Sequence, residues 1–164
     1  MIGTISLNIP LKPYLTKYLV QKYGNTHTVS RNSWLGNYVI ELLTKQYRKH
    51  KAIQKTETYF TIEIPLTIMK ESGFDISTDK LRRLEIMIDK VFRNDLDSYI
   101  AVSIGCELKY YNEQFSSLNK QNVVKAIEQF LGFYNITEDE LSPDTIYRDF
   151  YRSKKSDKPE NVSN

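Results

Sequence analysis

Two short stretches of the chain share one pattern: alternating apolar and polar residues end on Ile-Pro-Leu and lead into a helical pattern. The first covers residues 4–9 and the second residues 59–64. Strict alternation is typical of a strand with one buried face, and proline cannot donate to a further ladder bond, so each strand ends at its proline. We expect these two strands to pair in one small sheet, with a third short strand at residues 27–30.

Apolar residues at helical spacing predict two helices in the first part of the chain. One is expected to begin at Pro13, which suits a first helical turn, and to stop before Gly24, which suits a left-handed cap. The other follows Asn32 or Ser33 as its cap. Its apolar rhythm carries it through Gln46 and straight into the basic residues beyond.

Later segments have clearer apolar faces. One helix opens at Thr78 and Asp79, and residues 95–116 fit either a helix or a strand, with length and the lack of turn residues favouring helix. Another helix is capped by Asn119 or Asn122. Its predicted buried stripe consists of Val123, Ile127, Phe130, Leu131 and Tyr134.

These elements predict an α+β fold, a mostly helical single domain with a small two- or three-stranded sheet near the N-terminus. The 164 residues suffice for one ordinary domain with its own core. We assign residues 1–152 to this domain and residues 153–164 to a polar C-terminal tail. Because 40% of the residues are hydrophobic and 26% are charged, collagen-like, low-complexity and largely disordered classes are excluded.

Composition also narrows the function. The single cysteine, Cys106, allows no intramolecular disulfide, which favours a reducing, cytoplasmic setting. The longest apolar runs fall far short of the ~20 residues that cross a bilayer, and no signal-peptide pattern is visible, so we expect no membrane partner. His27 and His50 stand at no ligand spacing, and no phosphate loop or nucleophile motif occurs. We therefore predict no metal, no cofactor and no enzymatic activity.

The positive charge is concentrated in the first third of the chain. Through Thr56 there are nine bases and one acid, Glu41, which gives +8, whereas the remainder has 14 bases and 19 acids, which gives −5. A segment with so large an excess of positive charge is a candidate surface for binding a polyanion. The alternative is that this segment folds against the acidic remainder of the chain.

Five of these bases form what we call the basic stretch, residues 45–55, with no acid between Glu41 and Glu57. Lysine and arginine neutralise phosphates and release counterions, and neighbouring aromatics such as Trp34 and Tyr47 can stack on unpaired bases. A basic run at a helix C-terminus also suits the helix dipole, which is the structural alternative. The predicted phosphate contacts are Lys45, Arg48, Lys49, Lys51 and Lys55, with Arg31 beside them.

The C-terminal segment predicts helix, short helix and helix with tight joints. Thr137 and Glu140 match a capping box, and residues 142–143 repeat a helix start. The last helix could lie in the major groove as a helix-turn-helix reader does. Nearby carboxylates and the spacing argue against this, and a plain helical cap is the alternative. The candidate base contacts are Thr145, Tyr147 and Arg148.

Residues 9–24 (IPLKPYLTKYLVQKYG) and 136–152 (ITEDELSPDTIYRDFYR) resemble segments of short uncharacterised proteins of bacteriophages and integrated mobile elements of gut anaerobes. The resemblance implies a mobile-element setting and no functional residue. Together with the charge pattern it predicts a non-enzymatic nucleic-acid-binding accessory protein, with DNA as the favoured partner. The alternative is a protein-interaction or assembly module, such as a homodimer, because a tyrosine-rich chain also suits protein interfaces.

Overall fold

The computed structural model describes residues 3–46, 58–105, 110–111 and 114–156. Within them the strands are β1 (Thr4–Pro10), β2 (Thr26–Thr28) and β3 (Tyr59–Pro65). The helices are α1 (Pro13–Tyr23), α2 (Trp34–Leu42), α3 (Leu66–Ser72), α4 (Thr78–Ser103), α5 (Lys120–Phe133) and α6 (Pro143–Ser156). The predicted α+β fold, mostly helical with a small sheet near the N-terminus, is confirmed.

The chain forms two compact units, Met1–Val91 and Phe92–Asn164, and α4 contributes residues to both. The first unit holds the sheet with α1, α2 and α3, and the second holds α5 and α6. Helix α6 continues to Ser156, so the boundary predicted between the domain and its tail at residue 153 lies inside a helix.

The sheet has the strand order β1-β3-β2. Strands β1 and β3 are antiparallel with an unbroken register from Thr4 opposite Pro65 to Pro10 opposite Tyr59, which confirms the predicted pairing. Strand β2 pairs parallel to β3 and overlaps the predicted third strand. One face of the sheet is buried and carries the apolar half of the alternation. Its fully buried members are Ile9, Phe60, Ile62 and Ile64.

The predicted helix boundaries of α1 and the start of α2 agree with the structure. Pro13 opens α1, and Gly24 follows its end with φ +83° and ψ −172°, so the positive φ is found but the conformation is extended and not left-handed helical. Ser33 caps α2, because its side chain accepts from the backbone N–H of Gly36 at 3.0 Å.

The prediction that α2 continues through residue 46 is wrong, because the helix ends at Leu42. Leu43 is extended, and Thr44 forms a β-bridge with Asp75, in which Thr44 N–H donates to the Asp75 carbonyl at 2.9 Å. The ammonium of Lys80 donates to the Leu42 carbonyl, which supplies a partner for one helix-end acceptor. Bonds to a distant segment therefore replace the helical bonds that local periodicity favoured.

The segment that fitted either a helix or a strand is helical as far as Ser103. Ile100 and Ala101 are both fully buried, whereas Val102 is strongly exposed. A strand would place residues 100 and 102 on the same face, so this burial pattern excludes it. The predicted helix is confirmed for this part of the segment.

Helix α5 matches its predicted cap and stripe, since the Asn119 side chain accepts from the N–H groups of Gln121 and Asn122 and all five stripe residues are buried. Its C-terminal end is a Schellman motif in which Asn135 has φ +54° and Ile136 N–H donates to the Leu131 carbonyl at 2.9 Å.

The short helix predicted at residue 137 is wrong, because residues 138–140 form a single turn. Half of the capping box is present, with Thr137 N–H donating to Oε2 of Glu140 at 2.9 Å. Pro143 opens α6 and disfavours helical backbone at Ser142. Only one turn therefore fits between the end of α5 and this second start signal.

Candidate nucleic-acid interface

The basic stretch lies between two fixed points of the first unit. Lys45 is exposed and directly follows the Thr44 bridge, so it does not lie on a helix. On the far side, Thr58 Oγ1 donates to the Leu11 carbonyl at 2.7 Å, and Leu11 N–H donates to the Thr58 carbonyl at 3.2 Å. The other four predicted phosphate contacts lie outside the described residues. They are Arg48, Lys49, Lys51 and Lys55.

Arg31 is exposed on the loop before α2, where its guanidinium forms an ion pair with Glu71 of α3 at 2.9 Å. The two side chains are 66% and 64% exposed, so the pair contributes no more than about 1 kcal/mol to stability. At this position a carboxylate from the acidic part of the chain meets the early positive charge. A phosphate would have to compete with Glu71 for Arg31.

Two of the remaining early lysines, Lys12 and Lys22, lie at opposite ends of α1. Lys12 precedes the first turn of α1 and Lys22 lies in its last turn, which separates their backbones by roughly 15 Å at 1.5 Å per residue. Lys22 Nζ donates to the hydroxyl of Tyr18 at 3.0 Å. The basic stretch is where the sequence concentrates the positive charge.

The structure places Thr145 and Arg148 one turn apart on the exposed side of α6. Tyr147 is half-buried, with its ring centroid 5.8 Å from that of Phe115 and 6.3 Å from that of Tyr151. Of the three predicted base contacts, two therefore face solvent together, while the third packs in an aromatic cluster.

Two of the carboxylates that argued against a reader helix have partners within the second unit. Asp144 forms an ion pair with Lys120 at 3.3 Å, and Glu140 accepts from the backbone of Thr137. Glu138, Asp139 and Asp149 are exposed. The negative charge around the start of α6 is thus reduced but not removed.

An ion pair that sequence reasoning missed fixes the far end of α6. Lys154 Nζ lies 3.0 Å from Oδ2 of Asp97 on α4, with the two side chains only 13% and 23% exposed. Ile146 and Phe150 are buried on the same helix. The partners are separated by 57 residues, and nothing local in the sequence marks them.

His27 contacts the cap of α2, with its Nε2 3.1 Å from Oγ of Ser33. Its ring centroid lies 4.5 Å from that of Tyr23. The Ser33 hydroxyl also accepts from Gly36 N–H, so the contact links β2 to the cap of α2. Burial lowers the pKa of His27 below its usual 6.5, because desolvation disfavours the charged imidazolium.

This shift predicts a pH dependence of stability. The unfolded chain binds the proton of His27 more tightly than the folded chain, so the contribution of His27 is lost as the pH falls below about 6.5. In thermal unfolding, the melting temperature should fall less between pH 7.5 and pH 5.5 in His27→Gln than in the unaltered chain. An imidazole pKa at or above 6.5, measured by NMR titration of the folded protein, would contradict this assignment.

Among the residues that the structure describes, no three histidine, cysteine or carboxylate side chains are grouped to hold a metal ion. No helix in the described ranges is both long enough and apolar enough to cross a bilayer. Comparison with known proteins found no matching family model, curated protein or solved structure.

Proposed function

We propose that this chain is a non-enzymatic nucleic-acid-binding accessory protein of a phage or mobile element, with DNA as its favoured partner. The observation that carries the proposal is the basic stretch, which has five bases and no acid in eleven residues. Each base that neutralises a phosphate releases condensed counterions, which is the main source of sequence-independent affinity for nucleic acid.

The described flanks of the basic stretch support this role. The Thr44 bridge to Asp75 fixes one flank, and the hydrogen bonds between Thr58 and Leu11 fix the other. Strand β3 begins directly after Thr58. Both flanks of the basic stretch are therefore attached to the first unit.

Helix α6 supplies a second, smaller part of the proposal. Arginine can donate to both major-groove acceptors of guanine, and threonine can contact a thymine methyl group or a phosphate. Thr145 and Arg148 are exposed and adjacent, and Lys120 compensates the nearest acid, Asp144. Tyr147 is half-buried against Phe115, so only part of its side chain is available to a base.

Direct binding tests the proposal. A fluorescently labelled duplex of about 20 base pairs and a single strand of the same length are titrated with the protein at about 50 mM salt, with RNA strands as competitors. We expect dissociation constants in the micromolar range or tighter, since non-specific binding already reaches about 10⁻⁴ to 10⁻⁶ M at physiological salt. Absence of binding to every strand at low salt would refute the proposed function.

A further inference from the structure

Strand β1 is an edge strand whose outer side is open in the part of the chain that the structure describes. In the order β1-β3-β2, β3 is the only described strand that pairs with β1. Thr4, Ser6 and Asn8 are exposed, and Ile5 is 41% exposed although it lies on the apolar side of the alternation. An open edge presents backbone donors and acceptors that can pair with another strand.

This edge lacks the features that usually prevent strand pairing. Residues 4–10 contain no charged side chain, and their register with β3 has no bulge. The one proline, Pro10, stands at the last position, where it leaves the rest of the strand unblocked. The opposite edge of the sheet is protected by its shortness, since β2 has only three residues.

Exposed apolar surface borders the same edge. Ile5 lies opposite Ile64, and Leu66, two residues beyond it, is also exposed. Leu66 N–H donates to the carbonyl of Gly3 at 3.0 Å, which holds it next to the start of β1. A strand added at this edge would therefore cover apolar side chains as well as pair backbone groups.

We propose that β1 pairs antiparallel with β1 of a second copy of this chain, about a two-fold axis at Ser6. In an antiparallel pair, opposite residues lie on the same face of the sheet. Pairing about one residue keeps the alternation in phase, so Ile5 meets the partner's Leu7 and Thr4 meets the partner's Asn8. The two three-stranded sheets then become one sheet of six strands.

The chemistry of β1 favours a second copy as the occupant. An uncharged strand can meet itself without placing like charges opposite each other, which is costly in a sheet. A two-fold interface must also be complementary to itself, and a strict period-2 pattern satisfies this requirement. The paired residues 4–8 exclude Pro10, so its missing N–H costs no bond.

Sedimentation equilibrium tests the dimer. The unaltered protein should have close to twice its chain mass of 19.3 kDa at about 100 µM, far above a micromolar dissociation constant. Ile5→Lys should weaken dimerisation at least about tenfold, because the lysine places charge at the apolar edge. Ile86→Lys is the matched control, since Ile86 is a 63% exposed isoleucine on α4, and it should leave the mass unchanged.

Circular dichroism should show that both lysine variants remain folded, since both replaced side chains are already exposed. A monomeric unaltered chain at about 100 µM, a concentration far above a micromolar dissociation constant, would overturn the proposal. An Ile5→Lys variant that dimerises as well as the unaltered chain would also overturn it.

Disulfide trapping tests the register. With Cys106 replaced by serine, Ser6→Cys should cross-link two chains under mild oxidation, because directly opposite Cα atoms are about 4.5–5.5 Å apart. Thr4→Cys should not, because four residues of stagger separate the two substituted positions by roughly 13 Å. Cross-linking of neither variant, of both, or of Thr4→Cys alone would refute the Ser6-centred pairing. Neither test involves nucleic acid, so the dimer and the proposed function succeed or fail separately.

Discussion

Replacing Gly73 by alanine is expected to lower the free energy of unfolding by about 2–6 kcal/mol. Gly73 has φ +115° and an extended ψ of −172°, a conformation that is essentially restricted to glycine and costs other residues about 1–3 kcal/mol. An added Cβ would also overlap the backbone of Thr44. Relieving that overlap would require the bridge between Thr44 and Asp75 to separate, and overpacking of this kind costs about 1–3 kcal/mol more.

Gly132→Ala is the matched control for this prediction. Gly132 lies exposed inside α5, and a Cβ there meets nothing within 4 Å. Alanine should raise the stability by about 0.5–1 kcal/mol, because it reduces the freedom of the unfolded chain. Urea unfolding of both variants measures the difference. A Gly73→Ala protein within about 1 kcal/mol of the unaltered chain would contradict the tight approach described at the bridge.

Reversing the charge of two lysines in the basic stretch should have the largest effect on nucleic-acid binding. In the double variant Lys49→Glu and Lys51→Glu, two phosphate contacts are lost, and each contributes about 0.9 to the slope of log affinity against log salt. At about 50 mM salt each lost contact should lower the affinity roughly 15-fold, so the loss of both should lower it about 200-fold. Because phosphate contacts carry no sequence information, binding should weaken alike on all sequences.

The control for this prediction keeps the same change in net charge. Lys70 and Lys90 are exposed lysines of the first unit outside the basic stretch. Their double reversal to glutamate also shifts the net charge of +3 by −4, to −1. Anisotropy titrations should show a much smaller loss for this control. Equal losses in the two double variants would show that total charge, and not the basic stretch, determines the affinity.

Much of the fold follows from local signals because those signals act on neighbouring backbone groups. Pro13 needs no partner for a missing N–H, and the side chains of Ser33 and Asn119 reach N–H groups two or three residues away. The alternation in β1 and β3 specifies which face of each strand is buried, and it excludes a register shifted by one residue. Each of these features can be predicted from a few residues.

The features that sequence reasoning missed depend on partners far along the chain. Helix α2 ends early because Thr44 pairs with a residue 31 positions away. Arg31 meets Glu71 across 40 positions, and Lys154 meets Asp97 across 57. Local periodicity carries no information about such pairs. For the same reason, the sequence shows where the basic residues lie along the chain but not where they lie in space.

Salt dependence of duplex binding is the most direct test of the central claim, that the basic stretch binds phosphates. Five contacts predict a slope of log affinity against log salt near about −4.5, so affinity should fall roughly 500-fold between about 50 and 200 mM salt. In the Lys49→Glu and Lys51→Glu variant the slope should drop to about −2.7, from three remaining contacts. A slope near zero, or a slope that this variant leaves unchanged, would contradict the account.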